Sequence, residues 1–386
     1  MLASLRRSLA AAVALGAGMA FAGTALAEQP IKIGAFLTVT GGASFLGDPE
    51  AKVIKLYVDR INKQGGLLGR KVEAVIYDTG GDAKKAVSFA RRLIEEDKVD
   101  VLIGGATTGD TMAAVPLATE AGIPMISLGG ASVIVNPVKK WVFKMPQTDR
   151  QAVEVIYQDM KKRGLTTIGM IQGSGAFDQS CHKEAQDLAP KMGIKIAIDE
   201  TYAPSDSDMT PQLTKIKNAP GVQAVMTCGF GAPTVILVRN YKQLGMSNIP
   251  FYHNHSGPSQ EFLDGAAGAA EGIRMPAVAV IVANSLPDSN PQKAVSLDFI
   301  KAYREAYKEP VSIFAALAYD AFNIATQAMK RAGSTDKAKV RDEIEKTKGY
   351  VGLDGVYTMS PTDHMGLGLD SLIMTEIRNN TWVVAK

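Results

Sequence analysis

The sequence has almost no excess charge of either sign. Its 386 residues carry 42 Lys and Arg against 39 Asp and Glu, a formal charge of +3. No basic block stands out, which excludes a nucleic-acid partner. The balance is also too weak to hold the chain on an anionic membrane by charge. Beyond residue 27 there is no apolar run long enough to span a bilayer. There is no repeat of solenoid period and no low-complexity tether. Only two cysteines are present, Cys181 and Cys228, and their spacing matches no metal motif. In an oxidising compartment they can pair, but two separate buried thiols are the favoured reading.

Catalytic constellations are missing too. Gly173-Ser174-Gly175 follows an expected strand and opens an expected helix, like the start of a dinucleotide fingerprint, but the third glycine position holds Asp178. Cys181 and His182 are adjacent, so on a helix they point about 100° apart and cannot act as nucleophile and base. Ser256 lacks the G-x-S-x-G elbow of a hydrolase. His253 and His255 sit at i, i+2, which on a strand gives one shared face. A metal would need further ligands, and only His182 and His364 remain as other histidines. His253-Asn254-His255 is read as a surface strand end or as a ligand contact. The sequence predicts no enzyme, no metal and no cofactor.

What is present begins with a leader. Arg6 and Arg7 precede an apolar run from Leu9 to Ala22, and Thr24-Ala25-Leu26-Ala27-Glu28 offers small residues to a signal peptidase. A retained membrane anchor is the competing reading, but the run is short and rich in Ala and Gly. Residues 1–27 are expected to be removed before Glu28, placing the chain in the periplasm. Taking Arg6 and Arg7 away leaves 40 basic against 39 acidic residues.

The mature part alternates. Ile31–Leu37 reads as a strand, followed by the glycine loop Thr40-Gly41-Gly42 and a helix with Val53, Ile54, Leu56, Tyr57 and Ile61 on one face. Strands near 72–77, 99–103 and 124–127 alternate with helices at 83–96 and 111–121, which argues for a parallel sheet covered on both faces. The pattern restarts at Trp141 and runs to a strand near 249–253. A helical part follows, and a short strand near 372–378 closes the chain. The fold class is therefore α/β with two Rossmann-like lobes and a cleft at the carboxyl ends of the strands.

Two loops in the first unit suit an anion. Gly104 to Thr111 lies between a strand end and a helix start, where unpaired N–H groups and the helix dipole favour negative charge. Thr107 and Thr108 add hydroxyls. Ser127-Leu128-Gly129-Gly130-Ala131-Ser132 ends the next strand, and its small residues admit a ligand close to the backbone. Ordinary capped βα loops are the alternative.

At these residues the chain resembles the type I periplasmic binding proteins of the branched-chain amino acid transporter group. The stretches that carry the likeness include Ile33-Gly34-Ala35, Ile61-Asn62-Lys63-Gln64-Gly65-Gly66-Leu67-Leu68-Gly69, Val101-Leu102-Ile103-Gly104, Ala121-Gly122-Ile123-Pro124 and Gln243-Leu244-Gly245. The resemblance implies two lobes joined by three crossings, with lobes of 28–147 plus 277–352 and 148–276 plus 353–386. It implies a monomer that closes on a small molecule and then docks the permease of an ABC transporter. A sensory partner is the competing role. It implies that Thr108 and the Gly129, Gly130, Ala131 loop hold a ligand carboxylate, and Leu46 is counted among the contacts.

The second lobe departs from the pattern. Amino-acid binders of the group carry aromatics aligned with Phe177 and near Phe230, and an acidic residue aligned with His255. Asn254, His255 and Ser256 supply no carboxylate, and a buried ammonium without an anionic partner costs several kcal/mol. Asp178 is one position off the aligned aromatic. The expected ligand is therefore a carboxylate without an amine, favouring an aromatic acid such as a benzoate or cinnamate derivative. Phe177 and Phe230 would sandwich its ring and Asn254 or His255 would bond a ring substituent. An amide, an oxo-acid or a branched-chain amino acid are the alternatives.

Overall fold

The computed structural model describes residues 29–386. The leader expected at 1–27 lies outside the described residues. Among those described, no helix is long and apolar enough to cross a membrane.

The first half alternates β1 (Ile31–Leu37), α1 (Ser44–Lys63), β2 (Val72–Asp78), α2 (Ala83–Glu95), β3 (Val101–Gly104), α3 (Thr108–Ala121), β4 (Met125–Ser127) and β5 (Val142–Lys144). These strands form one parallel sheet in the order β2-β1-β3-β4-β5. β1 and β3 are central and almost wholly buried, as their unbroken apolar runs require when helices cover both faces.

The alternation resumes with α4 (Asp149–Lys162), β6 (Thr167–Gln172), α5 (Ala176–Met192), β7 (Lys195–Thr201), α6 (Thr210–Asn218), β8 (Ala224–Cys228), α7 (Ala232–Gln243), β9 (Phe251–His253), α8 (Gln260–Ala266) and β10 (Arg274–Ala277). The chain then returns to the first sheet through α9 (Gln292–Tyr307), α10 (Ile313–Ala332), α11 (Lys337–Glu345) and the hairpin β11 (Lys348–Val351) and β12 (Val356–Thr358). It ends in β13 (Ile373–Arg378) and β14 (Thr381–Val384), which extend the second sheet as antiparallel edge strands. That sheet runs β14-β13-β10-β9-β8-β6-β7.

The chain thus crosses between the sheets after β5, after β10 and before β13. α1 and α10 pack on each other, and apolar residues of both join β1 and β3 in one core. Leu353, Tyr357, Met359, Leu367 and Leu372 belong to that same core. Residues 353–372 therefore pack with the first sheet, although 353 was the expected start of the last second-lobe segment. α4 is fixed to the second sheet by Arg274, whose guanidinium bonds Asp159 at 3.0 Å and Glu376 at 2.9 Å. β10, α8 and β14 lack a clear period in the sequence and were not expected.

The two cysteines are a correction. Cys181 in α5 and Cys228 at the end of β8 form a disulfide, with Cα atoms 5.7 Å apart. Their sequence separation of 47 hides that proximity. The parallel pairing of β6 with β8, and the packing of α5 on both, removes the distance. Closing a loop of this length limits the unfolded chain by about 4 kcal/mol. Replacing both residues (Cys181→Ser with Cys228→Ser) should lower unfolding free energy by about 2–4 kcal/mol in urea titration. An unchanged midpoint would show that the bridge does not form in the folded protein.

Candidate ligand-binding site

Parallel strands deliver their following loops to one edge of the sheet. The loops after β1, β2, β3 and β4 meet those after β6, β8 and β9 across the cleft, and the start of α10 closes one side. Together they line a cleft cavity of about 410 Å³. The lobes touch around it: the Ser132 hydroxyl donates to Glu184 Oε1 at 2.9 Å, and the Asp149 amide donates to the Gly130 carbonyl at 3.2 Å.

The first lobe supplies the polar end. α3 begins at Thr108, earlier than the expected Thr111, because Thr107 caps it: its hydroxyl accepts the Asp110 amide at 3.1 Å. That cap leaves the N–H groups of Thr108 and Gly109 in the first turn without intrahelical partners. Thr107, Thr108 and Gly109 all line the cavity. Thr108 is 3% exposed, and its hydroxyl has no hydrogen-bond partner. A buried hydroxyl left unpaired in this way costs free energy unless a ligand completes it.

The loop after β4 is only partly in the site. Leu128 and Gly130 line the cavity, whereas Gly129 and Ala131 do not. Gly129 is pressed against Thr111, Ile134 and the Thr107 carbonyl. A side chain at Gly130 would meet the Phe177 ring at 2.8 Å, so glycine there permits the lobes to close on each other. Leu46 lines the cavity and is buried.

The second lobe supplies an aromatic wall. Phe177 opens α5 and Phe230 follows β8; both line the cavity. Their ring centroids are 6.0 Å apart with the planes at 75°. That edge-to-face pair leaves no slot for a third ring between them, so the expected sandwich is corrected to a continuous wall. Phe314 extends the wall, and Ile313 and Leu317 line the cavity beside it. These α10 residues were missed. The signal was there: Ser312 caps a helix whose first turn, Ile313 to Ala316, is apolar throughout.

The His253-Asn254-His255 stretch is buried, not a surface strand end. β9 stops at His253, so the expected shared face of the two histidines is not formed. His253 packs on Phe262, and burial holds its pKa down to about 4. Asn254 does not line the cavity: its amide donates to the Gly229 carbonyl at 2.8 Å and its oxygen accepts the Ser256 amide at 2.8 Å. His255 does line it, packed edge-on against Phe177. Burial, and secondarily the Lys144 charge, push the His255 pKa down to about 3. It is a neutral imidazole at physiological pH. Asp178 lies outside the lining and accepts the Gly175 amide, capping α5.

Among the described residues, the lining contains no Asp, Glu, Lys or Arg. Nor do the described residues bring three or more His, Cys, Asp or Glu together as a metal cluster. The cavity can hold one small, mostly apolar molecule with an acceptor end, which is the make-up of a solute pocket.

Comparison with known proteins agrees with this geometry. The profile of the Periplasmic binding protein family matches residues 30–379. The leucine-, isoleucine-, valine-, threonine- and alanine-binding protein of Pseudomonas aeruginosa is 27% identical over 350 residues, covering 88% of this chain and 91% of that protein. An extracellular ligand-binding receptor from Rhodopseudomonas palustris superposes with a TM-score of 0.86 at 28% identity, covering 93% of this chain and all of the receptor. A branched-chain amino acid transporter substrate-binding protein from Streptococcus pneumoniae, solved with isoleucine, superposes with a TM-score of 0.80 at 26% identity, covering 92% and 98%. These are binding proteins, not enzymes. With two parallel-sheet lobes, three crossings and a cavity between them, the chain belongs to the Periplasmic binding protein family.

Proposed function

We propose that this protein is the periplasmic substrate-binding component of an ABC transporter, and that its substrate is a small carboxylate without an ammonium group, favouring an aromatic acid. The observation that carries the reading is a cavity with an unpartnered Thr108 hydroxyl at a helix N-terminus and no carboxylate in its lining. The ligand carboxylate faces Thr107, Thr108 and the first-turn amides of α3. Its ring lies along Phe177, Phe230 and Phe314, with Leu46 and Leu317 filling the remaining apolar surface. Neutral His255 and Ser256 face a polar ring substituent. An ammonium in this cavity would have no anion to meet, at a cost of several kcal/mol.

The second reading is a branched-chain amino acid, supported by the names of the relatives in Pseudomonas and Streptococcus. It requires the ammonium to be met by neutral acceptors alone.

A thermal-shift screen separates the two. Ligand at ~100 times its dissociation constant adds ~2.7 kcal/mol to the folded state. Benzoates and cinnamates should raise the melting temperature while leucine, isoleucine and valine leave it unchanged. A shift with the amino acids alone would overturn the first reading, and a shift with aliphatic oxo-acids or amides would narrow it.

The anion end has its own test. Thr108→Val removes one hydrogen bond to a charged group and should weaken a carboxylate ligand by about 1.5–3 kcal/mol in calorimetry. Unchanged affinity would remove Thr108 from the site.

A further inference from the structure

A second cavity adjoins the first, and one aromatic ring stands between them. It measures about 420 Å³, much the size of the solute cavity. Gly42 from the first lobe and Ser256 from the second border both cavities, so the two meet there. Away from that seam the second cavity runs along α7 and α8. Val235 and Ile236 of α7 and Phe262 of α8 give it an apolar lining, and the exposed Arg239 and Glu261 border it too. Its hydroxyls are already paired. Thr234 donates to the Gly231 carbonyl at 2.8 Å, Ser256 donates to the Gly229 carbonyl at 2.9 Å, and Ser259 accepts the Phe262 amide at 3.2 Å. Such a space suits an apolar ring better than a group that needs hydrogen bonds.

Phe45 divides the two. Its side chain borders the second cavity and not the first. Yet its ring packs on Phe230, with centroids 6.3 Å apart, and on Phe314, with centroids 5.5 Å apart. Both of those rings border the solute cavity. The Phe45 ring is therefore backed by solute-cavity rings on one side and by the second cavity on the other. It also reaches across the lobes. Phe45 belongs to α1, and a Cβ at Gly231, in the loop after β8, would meet its Cε1 at 3.1 Å. The backbone beneath it is well seated: Gly47, two residues on, presses against the backbone of Thr38. Trimming the Phe45 ring thus removes the divider without a reason for α1 to move.

We propose that Phe45 sets the length of the solute: its ring ends the solute cavity at the seam, and without it the two cavities become one space that accepts an acid longer by about one ring. This rests on the cavity being the solute site, and it holds whether or not the ligand carries an ammonium. No residue of α3 or of the loop after β4 borders the second cavity, so a change at Phe45 leaves the anion end as it is. The competing role is plain packing, in which Phe45 only helps to hold the lobes together. The two roles differ in what they do to ligands of unequal length.

The test is calorimetry of the mature wild-type protein and Phe45→Ala with two pairs of probes. One pair is 4-hydroxybenzoate and biphenyl-4-carboxylate, and the other is leucine and 4-phenylphenylalanine. Wild type should bind the short member of its preferred pair and reject the long one. Phe45→Ala should bind the long member at least about tenfold more tightly than wild type does, because the added ring gains a buried apolar site. It should bind the short member more weakly, because the ring that joined the closed lobes is gone. A ring that only packs the lobes would weaken both members by one factor, so an unchanged ratio of long to short overturns the proposal. So does a wild type that takes the long member as readily as the short, or a Phe45→Ala protein that binds neither long member. Wild-type binding of leucine without 4-hydroxybenzoate would remove the ammonium-free reading of the substrate, and the amino-acid pair then judges Phe45 by the same ratio. If Phe45→Ala does not fold, Phe45→Leu, which keeps an apolar side chain but not the ring, decides in its place.

Discussion

A parallel strand always hands its next loop to the same edge of the sheet, and the rest of this molecule depends on that constraint. The four loops after β1 to β4 cannot scatter. Once β1 and β3 are buried between helices, Gly42, Gly80, Thr108 and Gly130 arrive at one edge together. The second sheet does the same with Gly175, Phe230 and His255. Two edges facing each other make a cavity without any residue being long enough to span it. Small residues dominate the rims for the same reason, since backbone must approach backbone where the lobes meet. At Gly130 the small residue admits a ring instead, that of Phe177 from the other lobe.

The electrostatics of the cavity follow from what surrounds it. No ionised side chain reaches the lining among the described residues, yet ionisable groups stand just behind it on every side. Asp110 stands in the first turn of α3 two residues beyond Thr108, Asp178 in the first turn of α5 one residue beyond Phe177, and Lys144 at the end of β5. Each is held by a neighbour or neutralised by burial. The Lys144 ammonium donates to the carbonyls of Pro146 and Gln147, in the first crossing itself. A smaller cavity of about 20 Å³ is bordered by Gln147, Val278 and Leu372, one from each crossing, and by His255. The His255 imidazole therefore borders both the larger cavity and the place where the crossings meet.

Much of this was legible in the sequence where local rules act alone. The alternation from Ile31 to Ser127, the hydroxyls of Thr107 and Thr108 before a helix and the lack of an acid at Asn254, His255 and Ser256 are all local facts. The site residues Thr107, Thr108, Gly130, Phe177, Phe230, His255 and Leu46 come together at the cavity. Gly129, Ala131 and Asn254 do not, because their side chains or backbone serve neighbouring loops, which no spacing rule reveals. The contribution of Ile313, Phe314 and Leu317 was hidden because α10 returns to the cleft from far along the chain. The same holds for residues 353–372: apolar residues such as Tyr357 do not say which of two cores they enter. The short strands β10 and β14 have too few residues to show a period.

The disulfide shows how one such long-range contact bears on the site. Cys181 lies one helical turn beyond Phe177, and Cys228 stands two residues before Phe230. The bridge therefore ties together the two segments that carry the aromatic wall, at full burial and directly behind the rings. Without it, α5 and the loop after β8 would be joined at this point by side-chain packing alone. A covalent link there holds Phe177 and Phe230 in their edge-to-face contact before any ligand arrives. The first lobe has no such link, and its anion end is instead fixed by the Thr107 cap and the hydroxyls around Asp110. One half of the site is stiffened by a covalent bond and the other by buried polar contacts.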